Sequence, residues 1–200
     1  MRIGITGDTH GSAQAIRRIL QRTPPIELWL HTGDYAADAN RLHDATGIKT
    51  VRVRGNCDLL DDGSRFDEYL EIEGYKIWLT HGHRYIERNV QADLGYWAKQ
   101  LGQDIVVFGH THVPMAEYYA ETLLVNPGSP SRPRGGSEPC FAVLTLQAGQ
   151  TPQVEFLPPN FSATFFFFMR IFLIFHTFSR EKVYLCSHLY IIIYVEHQRT

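Results

Sequence analysis

The chain is short of cysteine, of basic charge and of any leading apolar run. Three cysteines in 200 residues, Cys57, Cys140 and Cys186, are odd in number and widely spaced. That excludes a disulfide framework and fits a reducing compartment. Net charge at pH 7 is −2, from 19 Lys and Arg against 21 Asp and Glu. No basic run supplies the electrostatic footprint that an extended nucleic-acid interface needs. The opening MRIGITGDTH lacks the h-region of a secretory signal, so the expected location is the cytoplasm. With 44% apolar and 20% charged residues, the chain is globular in type rather than disordered.

The last forty residues lack something else. Every one of the 16 glycines, 10 prolines and 10 aspartates lies in residues 1–160. Residues 161–200, beginning FSATFFFFMRIFLIFHTF, hold 8 of the 12 phenylalanines. The expected division is a domain over 1–160 and an atypical Phe-rich tail over 161–200. From Phe161 to Phe178 the tail runs 18 residues, near the lower limit for a membrane span. Arg170 at its middle opposes that reading, because a charge there costs about 2.5–3.5 kcal/mol on insertion scales. The compositional break points instead to an end foreign to the domain, such as an out-of-frame terminus. An anchor or a packed extension are the other readings, and membrane association is expected only if the anchor is genuine.

Within 1–160 the apolar pattern alternates strand, helix, strand, helix, strand. RIGIT at 2–6, ELWLHT at 27–32 and KTVRVRG at 49–55 read as strands, and 12–23 and 37–46 as helices. Such alternation is the signature of a parallel sheet flanked by helices. The pattern then changes to a hairpin around Gly74, an amphipathic helix over 89–102, a strand DIVVFG and a second hairpin. Antiparallel strands near 140–147 and 153–157 close the domain. A mixed α/β fold with two facing sheets accommodates this order, and no internal repeat is present.

The strand ends carry the chemistry. They deliver Asp8 and His10, Asp34, Asn56, His81, and finally His110 and His112. The crevice at the carboxyl ends of such strands is where ligands bind in open α/β sheets. His110 and His112 would face opposite ways on a continuing strand, so their convergence requires the backbone to turn after Gly109. Imidazole, carboxylate and amide oxygen without thiolate suit Mn, Fe, Ni or Zn. Seven ligands exceed what one such ion takes; they suit two ions about 3.5–4 Å apart sharing one carboxylate.

This set, DTH, GD, GNCD, a histidine after a strand and GHTH, resembles the calcineurin-like metallophosphoesterases, most of all the small YfcE-type phosphodiesterases. The resemblance covers residues 1–160. It implies a two-sheet α-β-β-α sandwich holding two divalent ions, with Mn the first choice. The first ion would take Asp8, His10, Asp34 and His112, the second Asp34, Asn56, His81 and His110. Asn56, Asp34 and His81 would be catalytic, with a hydroxide bridging the ions attacking a small phosphoester substrate. NPGS at 126–129 is similar to the family's late loop near the site.

Many members carry, at the place of Cys57, a histidine that helps protonate the leaving group; cysteine, as in this chain, is usual at that place in the YfcE-like branch. A thiol of ordinary pKa about 8.5 is a poorer proton donor than imidazolium near neutrality, so esters with good leaving groups are expected to be favoured. Asp58 reads as a residue that orients a ligand or its backbone, and His83 as a substrate contact or a loop cap. His31 and His43 read as structural, and Arg84, Arg132 and Arg134 as phosphate contacts or solvated loop charges. The rival function is a non-catalytic scaffold of the same fold, like the retromer subunit whose metal site is impaired; the complete ligand set opposes it. Homo-oligomers are compatible with either.

Overall fold

The structure, a computed structural model, describes residues 1–59 and 63–159. The tail at 161–200, with its anchor and out-of-frame readings, lies outside the described residues. β1 (Arg2–Thr6), α1 (Ala13–Arg22), β2 (Leu28–His31), α2 (Asp38–Thr46) and β3 (Thr50–Arg52) follow the expected alternation. Ser12 caps α1 by accepting from the Ala15 N–H, and Gly47 ends α2 in the left-handed conformation. β4 (Asp67–Ile72) and β5 (Tyr75–Thr80) form the first hairpin, turning through Glu73 and Gly74, both at positive φ. α3 (Val90–Leu101) follows, capped by Asn89 and stopped by Gly102. The chain then builds β6 (Ile105–Val107), the hairpin β7 (Pro114–Tyr119) and β8 (Thr122–Pro127), β9 (Phe141–Thr145) and β10 (Gln153–Leu157).

These strands make two five-stranded mixed sheets, ordered β10-β9-β1-β2-β3 and β4-β5-β6-β8-β7. The period of two decides which residues face which layer. Ile3 and Ile5, Leu28 and Leu30, Ala142 and Leu144 from one sheet meet Ile77 and Leu79, Ile105 and Val107, Leu123 and Val125 from the other. Burying each large aliphatic of that set contributes about 1.5–3 kcal/mol. Their strand neighbours point outward under helices. Trp29, Phe141 and Val143 pack with Ile16, Ile19 and Leu42 of α1 and α2, and Trp78, Val106 and Leu124 pack with Leu94 and Ala98 of α3. The result is the expected α-β-β-α sandwich. Among the described residues, no helix is long and apolar enough to cross a membrane.

Candidate metal centre

β1, β2 and β3 run parallel in one sheet, and β5 runs parallel to β6 in the other. Their carboxyl ends meet at one rim, stitched by main-chain bonds from Asp8 N to Gly33 O (3.0 Å) and from Gly109 N to His81 O (3.2 Å). The glycines before the polar residues have a specific task there. A Cβ on Gly55 would lie 2.3 Å from Asp34 Oδ1, and one on Gly109 would lie 2.7 Å from Asp8 Oδ2. Each carboxylate therefore rests against a neighbouring strand end where no side chain fits.

The backbone resolves the spacing of His110 and His112. Both sit at positive φ, 66° and 60°, and so do Asp8, His10 and Asp34. Of the eight non-glycine residues in that region among the described residues, these are five. A left-handed residue reverses the strand's alternation, which turns both rings to one side. It costs about 1–2 kcal/mol per non-glycine residue, and such strain gathers where function requires it.

Two groups of acceptor atoms result. In the first, one ligand atom from each of Asp8, His10, Asp34 and His112 lies within 4.8 Å of the others. His10 Nε2 is 3.3 Å from His112 Nε2, which is 3.2 Å from Asp8 Oδ1. His112 Nδ1 faces the Arg132 carbonyl at 2.6 Å and so carries the proton, leaving Nε2 as a lone pair toward the carboxylate. In the second group, His81 Nδ1 donates to the Thr32 carbonyl (2.8 Å), and its Nε2 lies 3.0 Å from Asn56 Oδ1 and 3.4 Å from Asp34 Oδ1. His110 Nδ1 is also 3.0 Å from Asn56 Oδ1. Asp34 belongs to both groups, with Oδ1 toward His81 and Oδ2 3.9 Å from His10. Converging lone pairs need protons or cations between them. Nitrogen and oxygen donors without thiolate fit a borderline divalent ion.

The surroundings bias these groups toward binding. Burial lowers the His10 pKa, Asp34 and Asp8 pull it back, and Arg132 and His112 oppose them. Burial and then His81 lower that of His110. Both rings therefore stay neutral, as ligands must. Burial raises Asp34, but the neighbouring His81 and the Cys57 N–H, 2.8 Å from Oδ1, outweigh it, and the Asp34 pKa is lowered. The His112 pKa is raised, first because Nε2, once protonated, would donate to Asp8.

The remaining sequence-singled residues divide clearly. Asp58 does orient backbone: its carboxylate accepts from Ala36 N and Gly55 N, both at 2.8 Å. Cys57 is exposed, and burial of its sulfur with the Asp34 contact pushes its thiol up to about 11, so it is not a thiolate. His83 sits beside the second group, its ring 5.2 Å from that of His81, with its pKa lowered to about 4 by burial and then by His81 and His110. His31 is buried in β2 and accepts from Gly33 N, and His43 bonds the Ile48 carbonyl, so both are structural. Ser129, in the NPGS stretch that the sequence pointed to, holds the Asp8 carbonyl through its hydroxyl, and Ser131 just beyond it, which sequence reasoning missed, does the same. Sequence reasoning also missed Tyr35, whose ring meets His10 at 5.8 Å.

Fold and site together define a metal-dependent phosphoester hydrolase. The chain belongs to the calcineurin-like phosphoesterase superfamily, whose domain model matches residues 1–149. It is 34% identical to the probable metallophosphoesterase YsnB of Bacillus subtilis (strain 168) over 149 residues, 74% of this chain and 85% of YsnB. Phosphodiesterase YfcE of Escherichia coli (strain K12) is 31% identical over 169 residues, 72% of this chain and 87% of YfcE. In structure the chain is similar to a predicted phosphoesterase from Streptococcus pneumoniae TIGR4, with TM-score 0.67, 28% identity and 79% and 89% of the two chains covered. Vps29 of Chaetomium thermophilum matches at TM-score 0.64 and 17% identity over 78% and 95%, a likeness of fold.

Proposed function

We propose that this chain is a dinuclear-metal phosphodiesterase acting on small phosphodiesters. One observation carries the reading: a single carboxylate, Asp34, divides its two oxygens between two separate acceptor groups. On this reading Asp8, His10, Asp34 and His112 hold one ion, and Asp34, Asn56, His81 and His110 the other. The ions are divalent, Mn before Fe, Ni or Zn. When bound, such a pair lowers the pKa of water and neutralises charge developing on phosphoryl oxygens.

The chain's own part is positioning. The Thr32 and Arg132 carbonyls fix the tautomers of His81 and His112. The His110 N–H holds Asp8 Oδ2 at 3.0 Å, and the Cys57 N–H holds Asp34 Oδ1. On this reading Cys57, its thiol protonated and next to Asn56, would meet the leaving group. A small substrate is the reading, supported by the lack of a basic run in the sequence. Free Cys57 and Cys140 support a reducing, cytoplasmic setting.

Hydrolysis of bis(p-nitrophenyl) phosphate tests this after metal stripping and Mn²⁺ addition. Mn²⁺-dependent turnover abolished in Asp34→Ala is expected. Absence of turnover with every divalent ion would favour the scaffold reading, toward which the Vps29 fold likeness points.

A further inference from the structure

Two exposed aromatic rings flank the candidate centre from opposite groups. Tyr35 is 45% exposed and lies edge-on to His10 at 5.8 Å, beside the first group. Its backbone sits at φ 71°, which bulky residues rarely adopt. Gly11 makes room for the ring, since a Cβ there would come 2.9 Å from Tyr35 Cε1. Phe66 is 38% exposed and stands 6.0 Å from the His83 ring, which in turn is 5.2 Å from His81 and 6.2 Å from His110. The exposed Arg84 guanidinium lies over Phe66 at 4.6 Å, and that of Arg54 at 5.6 Å. Rings and guanidinium planes thus continue outward from the second group, from buried His81 to solvent.

A phosphodiester has two arms on one phosphorus. With phosphorus between the two groups, one arm is directed toward Tyr35 and the other toward Phe66 and Arg84. Both walls offer flat π surfaces, to which aryl groups and bases stack. We propose that Tyr35 on one side and Phe66 with Arg84 on the other form a two-sided clasp for phosphodiesters whose arms carry flat aromatic groups, aryl or nucleobase. The inference rests on the phosphodiesterase reading and sharpens its substrate class. It also gives diesters an advantage over monoesters, which fill one wall only.

The test is binding of diphenyl phosphate against dimethyl phosphate to the Mn²⁺-loaded full chain by titration calorimetry. Both carry one negative charge and differ only in their arms. Diphenyl phosphate is expected to bind about thirtyfold tighter or better, at one stacked ring's worth per wall. Phe66→Ala and Tyr35→Ala should each erase part of that contrast, their combination should erase all of it, and Tyr35→Phe should keep it. Equal affinities in the parent chain, or a contrast surviving the double substitution, would overturn the clasp. A preserved contrast without any turnover of activated diesters would sink the hydrolase reading and leave the clasp standing.

Discussion

Replacing Gly109 with alanine separates the two costs of this site's tight construction. The added Cβ would lie 2.6 Å from Thr32 Oγ1 and 2.7 Å from Asp8 Oδ2, well inside contact. Gly109 is not in the left-handed region, so the backbone accepts alanine and the collision alone acts. Thr32 is buried and its main chain holds His81, so the carboxylate of Asp8 must yield as well. Overpacking of this kind costs about 1–3 kcal/mol. That is a fall in Tm of about 2–12 °C for a domain this size. Displacing a ligand's support weakens metal affinity by about 10–100-fold. Gly47→Ala is the control: its Cβ meets nothing within 4 Å, but its φ of 70° makes alanine strained. It should lower Tm by a similar amount and leave metal affinity alone. Calorimetric unfolding of stripped protein and Mn²⁺ titration of both variants give the two readouts. Gly109→Ala binding Mn²⁺ as tightly as the parent would refute the claim that the glycine exists to seat Asp8.

Other outcomes follow from the titrating groups. Because its contact with Asp8 raises His112, a proton there competes with a metal; Mn²⁺ affinity should already weaken on acidification from pH 8 toward 6.5, with proton release measurable in buffers of differing ionisation heat. Buried His31 has its pKa lowered to about 4 by burial. Above pH 6.5 it is neutral folded and unfolded. Between about 6.5 and 4 only the unfolded chain takes the proton, so stability is lost as pH falls through that window. The loss is about 2 kcal/mol from pH 7 to pH 5, read as a difference from His31→Gln in urea unfolding, and equal pH profiles would contradict it. Cys57→His should flatten the dependence of rate on leaving-group pKa for a series of aryl diesters. An unchanged slope would remove Cys57 from the leaving group.

Much of this was legible in local sequence, for identifiable reasons. Alternation in β2 and β5 places Trp29 and Trp78 under helices and their neighbours between sheets, and caps such as Ser12, Asn89 and Gly102 mark helix ends. The donor residues were legible because each lies at a strand end that also carries a glycine. Sheet order was not: β6 sits between β5 and β8, and β8 pairs β6 in parallel but β7 antiparallel, which depends on long-range pairing. The left-handed turns at His110 and His112 were legible only as a need to turn. Phe66 carried no signal at all, since its neighbour His83 lies on another strand end.

The central claim, two ions sharing Asp34, is tested most directly by counting Mn²⁺ per chain. Titration calorimetry with elemental analysis of the isolated complex should give two per chain for the parent protein. Asp34→Ala should bind neither ion tightly, and His112→Ala should retain one. A single ion in the parent chain, or two ions retained by Asp34→Ala, would contradict the account.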